Sequence, residues 1–243
     1  MQYQCMIVDD EKLLADSTAE YLNLFGVKTA AAYSAAKCRA FFQEHTAELL
    51  LLDINLEDGS GFELCKELRE TTDIPILFIS ARNSDDDKLI ALHIGGDDYI
   101  EKPYSLSVLL AKVTVMLKRY RQYTKTSGET LASDQDSEQG NCYVSADRRL
   151  EVRFDTRQLF VEGVPVKLTA LEFKLLAYLI RQENRVVSKR ELFDEVWKDR
   201  FTGDGTLNVH IRRLREAIER QPGKPEYILT VWGDGYQFCG GKE

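Results

Sequence analysis

Glu48-Leu-Leu-Leu-Leu-Asp53 restricts the fold more than any other stretch of this chain. Four consecutive leucines cannot alternate between core and solvent. A strand made of them has both faces covered, as in a parallel sheet wrapped by helices. The run ends on an aspartate, which such a strand delivers to the carboxyl edge of its sheet, where open α/β sheets bind ligands. Ile54-Asn-Leu-Glu-Asp-Gly-Ser-Gly61 follows and reads as a loop, leaving Asp53 within reach of solvent. A lone strand-ending aspartate also serves simply as a cap for the next element. The other strand ends decide between the two.

Short apolar runs alternate with segments of helical period across residues 1–123. Strands are expected at Cys5–Val8, Val27–Ala31, Leu49–Leu52, Ile76–Ile79 and Asp98–Ile100. Helices are expected near Leu13–Leu24, Ala35–Glu44, Phe62–Thr71, Asp85–Ile94 and Ser107–Tyr120. Five such β/α units predict a parallel sheet with right-handed crossovers. A flavodoxin-like strand order, 2-1-3-4-5, would set the first, third, fourth and fifth strands side by side. Asp9 and Asp10 then follow the first strand, Asp53 the third, Ser80 the fourth, and Lys102, just before Pro103, the fifth.

Three carboxylates on one edge repel, by roughly 4 kcal/mol per pair at ~4 Å and an effective dielectric near 20. Such a cluster takes up protons or holds a cation. Oxygen donors alone suit Mg²⁺, which favours few carboxylates together with waters and a phosphate. Lys102 and the Ser80 hydroxyl suit the remaining oxygens of a phosphoryl group. The expected chemistry is in-line attack by the Asp53 carboxylate on phosphorus, giving an acyl phosphate.

The chain has 243 residues, room for a second domain. Its net charge of −8 is unevenly spread: residues 1–123 carry −7, 124–140 carry −3, and 141–243 carry +2. Only the last part is suited to a polyanion. The five cysteines are scattered, without a CxxC pair, and read as free thiols. No apolar run approaches a membrane span and no signal-peptide pattern opens the chain, so a cytoplasmic protein without membrane contact is expected. Residues 124–140 hold one isolated leucine and no periodicity, the composition of a flexible tether.

Beyond it, β-like segments at Leu150–Phe154, Gln158–Val161 and Val164–Lys167 precede two capping boxes. Thr169-Ala-Leu-Glu172 opens a helix through Ile180, and Ser188-Lys-Arg-Glu191 opens Glu191–Trp197. After a turn-rich stretch, the helix Thr206–Arg220 lines His210, Arg213 and Ala217 along one stripe, flanked by Arg212 and Arg215. Arginines so clustered on a helix after a turn suit a recognition helix in a major groove. A hairpin around Gly233-Asp-Gly235 closes the chain.

Val8-Asp-Asp-Glu11, Leu52-Asp53, Ser80-Ala81 and Gly96-Asp-Asp-Tyr-Ile-Glu-Lys-Pro-Tyr104 make the first domain similar to the receiver domain of two-component response regulators. Leu168-Thr-Ala-Leu-Glu-Phe173, Arg190-Glu-Leu192, Val209-His-Ile-Arg-Arg-Leu-Arg215 and Thr230-Val-Trp-Gly-Asp-Gly-Tyr236 make the second resemble the winged-helix output domain of the OmpR/PhoB family. The resemblance implies Asp53 as phosphoacceptor, Asp10 and Asp53 as metal ligands, Asp9 as an outer partner of the metal, and Asn55 as donor of a backbone carbonyl. Ser80 and Tyr99 would form a switch pair, and Lys102-Pro103 a cis peptide bond. Asn55 and Arg82 flank the site and would tune water access.

The same resemblance implies dimerisation through helix 4, strand 5 and helix 5. Leu89, Leu92 and Ala111 would form an apolar patch ringed by the pairs Asp98 with Lys112 and Asp97 with Arg119. Lys88 faces Val108, where relatives carry glutamate, so one exposed pair worth about 0–1 kcal/mol is lost. On DNA, Thr206, Asn208, Val209 and Arg213 would read bases, and His210, Arg212, Arg215 and Thr230 would hold phosphates. The loop 198–204 would meet RNA polymerase, and a sensor histidine kinase would supply the phosphoryl group. Gly205, Asn208, Leu229, Trp232 and Gln237 stand where charged residues are common, and Asp234 adds a negative charge. A weaker hold on phosphates is therefore expected, with Trp232 either packed into the core, the favoured reading, or lying against sugar edges.

Two other readings compete. A hydrolase with an aspartate nucleophile also uses Mg²⁺, but looks for Asp-x-Asp where this chain has Asp53-Ile-Asn55. A DNA-binding regulator that ignores phosphorylation has no need of the intact acids, Ser80 and Lys102. The reading drawn from the residues is a phosphorylation-switched transcription factor, not a turnover enzyme.

Overall fold

The computed structural model describes residues 1–81, 85–125, 141–198 and 203–241. The tether beyond Lys125, Arg82 and most of the 198–204 loop lie outside the described residues. The chain forms two compact units, Met1–Tyr120 and Arg121–Glu243. Among the described residues no helix is long and apolar enough to cross a membrane.

In the first unit, strands β1 (Cys5–Val8), β2 (Thr29–Ala32), β3 (Leu50–Asp53), β4 (Ile76–Ser80) and β5 (Asp98–Glu101) alternate with five helices. These are α1 (Lys12–Leu24), α2 (Ala35–Glu44), α3 (Gly61–Thr71), α4 (Asp85–His93) and α5 (Leu106–Lys125). The sheet is wholly parallel, in the order β2-β1-β3-β4-β5. The leucine run shows why both faces are covered. Leu50 and Leu52 enter a core with Cys38, Leu64, Cys65 and Leu68 of α2 and α3. Leu49 and Leu51 enter the opposite core, with Ala15, Ala19 and Leu22 of α1 and Leu109, Val113 and Met116 of α5. Burying each leucine contributes roughly 1.5–3 kcal/mol.

Local chemistry sets the boundaries. β2 begins at Thr29 instead of Val27, because the Val27 N–H donates to the Leu22 carbonyl (3.0 Å) and closes the end of α1. The loop after Asp53 holds a small hairpin that its polar composition hid, pairing Asn55–Leu56 with Gly59–Ser60. Within it, the Asp58 carboxylate accepts the Ala35 and Ala36 N–H groups, both at 2.8 Å, and so caps α2. At Gly61 a Cβ would lie 2.0 Å from the Asp53 carbonyl oxygen, so glycine alone lets α3 start this close to β3.

The second unit opens with a four-stranded antiparallel sheet in sequential order: β6 (Cys142–Val144), β7 (Leu150–Arg153), β8 (Gln158–Val161) and β9 (Val164–Val166). Pro165 sits in the edge strand β9, where a missing N–H is tolerated. α6 (Ala170–Arg181) starts with the complete Thr169/Glu172 capping box. The Ser188 hydroxyl accepts the Glu191 N–H and opens α7 (Lys189–Leu192). That second box stays half made, because the Glu191 carboxylate is engaged by the Tyr178 hydroxyl (2.6 Å) and by Arg185. Phe193–Trp197 continues as a π-type turn, closed by the Lys198 N–H on the Phe193 carbonyl at 2.7 Å.

α8 (Asp204–Ile218) follows. β10 (Val186–Ser188), β11 (Ile228–Val231) and β12 (Gly235–Phe238) form a three-stranded sheet with β12 at its centre. β6 and β10 are absent from the strands expected from sequence. The core joins Leu175, Leu176 and Leu179 of α6 with Leu207, Ile211 and Leu214 of α8, Trp197 and Phe238.

Candidate functional site

The carboxyl ends of β1, β3 and β5 bring the acids together with Lys102. Asp9, Asp10 and Asp53 each offer a carboxylate oxygen within 4.8 Å of the others. Asp53 and Asp9 are buried and Asp10 half-buried. Each buried acid is tethered by one oxygen: Asp53 Oδ1 accepts the Asn55 N–H and Asp9 Oδ1 the Glu11 N–H, both at 3.0 Å. The other oxygen of each faces Lys102, whose Nζ lies 2.6 Å from Asp53 Oδ2 and 2.8 Å from Asp9 Oδ2. Glu11 Oε1 stands 2.9 Å from the same nitrogen. Sequence reasoning missed this last contact, which joins residues 91 positions apart.

Burial alone would lower the pKa of Lys102, but its hydrogen bonds to Asp53, Asp9 and Glu11 outweigh that and hold the ammonium above its usual range. The Asp9 carboxyl is also held above its usual range. Burial raises its pKa and the Asp53 charge adds to the rise, against the pull of Lys102 and the Glu11 N–H. By formal charge, the three carboxylates of Asp9, Asp10 and Asp53 outnumber the single ammonium of Lys102. Three hard oxygen donors with charge in excess fit a divalent cation such as Mg²⁺. Ser80 is fully buried and hydrogen-bonded to Tyr99, whose phenol burial pushes up. The Lys102–Pro103 peptide bond is cis.

On α8, helical period separates the expected DNA contacts into two groups. Asn208, Arg212 and, on β11, Thr230 are exposed, with Arg215 half-buried. Arg212 pairs with Glu216 at 2.9 Å, and Arg215 donates to the Ile228 carbonyl (2.7 Å) and the Thr230 hydroxyl (2.8 Å). Asn208 accepts from the Tyr236 hydroxyl at 2.8 Å. Thr206 and Val209 are buried, and half-buried Arg213 pairs with buried Glu172 at 2.9 Å. His210 requires a correction: it is 0% exposed, its ring 5.7 Å from that of Trp197, so it is a core residue here and not an outward phosphate contact. Trp232 departs from expectation in the opposite sense. It stands 92% exposed between β11 and β12, not packed in the core.

Two family models meet these two sites. Residues 5–114 match the response regulator receiver domain, and residues 163–238 match the C-terminal domain of transcriptional regulatory proteins. The chain belongs to the OmpR/PhoB family of response regulators. It is similar over nearly its whole length to the regulatory protein VanRc of Enterococcus gallinarum, at 33% identity over 97% of this chain and 98% of that one. It is 35% identical to the sensory transduction protein RegX3 of Mycobacterium tuberculosis, again over 97% and 98%. Among solved structures, the response regulator DrrB of Thermotoga maritima, described as an OmpR/PhoB homologue, shares 27% identity. It covers 99% of this chain and 100% of its own, with a TM-score of 0.50.

In this OmpR/PhoB regulator the expected dimer face is partly committed within the chain. Lys112 pairs with Asp98, Lys88 pairs with Glu101, and Asp97 binds Arg69 at 2.8 Å and the Ile76 N–H at 2.8 Å. Leu89 is 45% exposed and Ala111 half-buried, but Leu92 is 2% exposed and belongs to the interior, not to a surface patch. Arg119 is half-buried on α5. Among the apolar residues of α4, Ile90 is exposed beside Leu89.

Proposed function

We propose that a sensor histidine kinase phosphorylates Asp53, and that the phosphorylated chain dimerises and binds promoter DNA. The observation that carries this reading is the position of Lys102 Nζ, in contact with the free oxygens of both Asp53 and Asp9. Asp53 attacks the phosphorus of a phosphohistidine. The new P–O bond forms as the P–N bond breaks, and the electron pair returns to the imidazole. Asp10, Asp53 and the carbonyl of Asn55 would hold Mg²⁺, with Asp9 behind it. When bound, the ion neutralises the oxygens of the transferred group. Lys102 then exchanges its contact with Asp53 Oδ2 for a phosphoryl oxygen. The buried Ser80 hydroxyl turns toward the same group and releases Tyr99, changing the surface of α4, β5 and α5.

Two such chains, joined by Leu89, Ala111 and charge pairs around them, would place two output units on tandem half-sites about one helical turn apart. Asn208, Arg212, Arg215 and Thr230 face the duplex in this reading, and Trp232 lies against sugar edges of the minor groove. Thr206, Val209 and Arg213 would come to the bases only through local rearrangement. The 198–204 loop is proposed to meet RNA polymerase, and DNA binding puts the protein in the cytoplasm. The test is phosphorylation by phosphoramidate with Mg²⁺. Wild-type protein should gain an acid-labile adduct that Asp53→Asn and excess chelator both abolish. A stable adduct on Asp53→Asn would overturn the assignment.

A further inference from the structure

The position before a helix is ordinarily where an acidic or hydroxyl side chain turns back onto the helix's own N–H groups. Glu11 precedes α1 and makes no such cap. Its backbone N–H is held by Asp9 Oδ1 at 3.0 Å, and its side chain reaches Lys102 Nζ at 2.9 Å. An ammonium has three protons, and here three carboxylates surround it: Asp53 at 2.6 Å, Asp9 at 2.8 Å and Glu11 at 2.9 Å. Lys102 is 9% exposed while Glu11 is 64% exposed, so Glu11 closes the arrangement from the solvent side.

We infer that Glu11 is a positioning residue for phosphoryl transfer, the carboxylate that keeps Lys102 in place while the other two are engaged elsewhere. This rests on the phosphoacceptor reading above. Once Asp53 is bonded to phosphorus and Asp9 shares its charge with a cation, Glu11 is the carboxylate around Lys102 that neither process draws on. Held by Glu11, Nζ meets the incoming phosphoryl oxygen without first being reordered, and that preorganisation is what an aligned donor contributes to rate.

The experiment uses the full chain with Mg²⁺ and phosphoramidate, comparing wild type, Glu11→Gln and Glu11→Asp. The exposed site makes both variants compatible with folding. Phosphorylation of Glu11→Gln should be about five-fold slower, with Glu11→Asp recovering at least part of the loss. The deficit should persist at about 0.5 M salt, where long-range charge effects are screened. Independently of turnover, with beryllofluoride and Mg²⁺ engaging Asp53 and Asp9, the Lys102 ammonium resonance should be protected from proton exchange in wild type and exchange faster in Glu11→Gln. Wild-type labelling with Glu11→Gln indistinguishable in rate and in the ammonium signal would overturn the role of Glu11 alone. A deficit abolished by salt would reduce it to simple charge and also overturn positioning. Wild type that gains no adduct would overturn the phosphoacceptor reading beneath it.

Discussion

Asp53, Asp9, Asp10, Ser80 and Lys102 were legible one by one because each ends or follows a strand, and strand ends are marked in sequence by where an apolar run stops. Their convergence needed only the strand order. Glu11 was hidden because its partner Lys102 lies beyond a distant strand, β5, and its own position suggests an ordinary helix start. His210 and Trp232 show the two ways a residue type misleads. On α8 the stripe through 207, 211, 214 and 218 is the core, and 210 falls on its shoulder, where period alone does not assign it. Trp232 is large and apolar, yet the tight turn after β11 turns it outward. Its exposure carries a prediction: Trp232→Ala should weaken specific DNA binding about three- to ten-fold in a filter-binding or anisotropy titration, while leaving the thermal midpoint unchanged. An unchanged affinity would remove Trp232 from the interface.

Among the elements, β3 is the one whose loss the receiver unit tolerates least. Leu50 is fully buried against α2 and α3, so Leu50→Ala should destabilise that unit by roughly 2–5 kcal/mol in a urea titration. The second unit has an acid-sensitive joint. Asp147 accepts the Ser145 hydroxyl and the Tyr227 hydroxyl, both at 2.6 Å, and the Arg149 N–H at 3.2 Å. Burial opposes ionisation there, but these hydrogen bonds outweigh it and hold the carboxyl below its ordinary value. A depressed folded pKa means the contribution is complete above about pH 4, the unfolded value, and is lost as pH falls through the folded one. Asp147→Asn should therefore lower stability near neutrality and flatten its decline in acid, as followed by near-ultraviolet circular dichroism. A variant with the wild-type acid slope would exclude Asp147 as the source.

At the scale of the whole molecule, the alternation of apolar runs and helical periods made the α/β class and the parallel order readable, and paired capping signals made α6 and α7 so. The proposed coupling runs through association of two chains. Beryllofluoride with Mg²⁺ should accordingly raise the dimer fraction in sedimentation velocity at micromolar concentration, and Leu89→Asp should cancel the rise. A protein that stays monomeric under both conditions would exclude activation by this face. The placement of the two tryptophans has a practical consequence. Trp197 is sealed in the output core and Trp232 stands in water. An aqueous quencher such as iodide thus silences one indole and spares the other. The native chain carries its own optical gauge of whether the turn at Trp232 is covered, and no label need be attached to ask whether a duplex shields it.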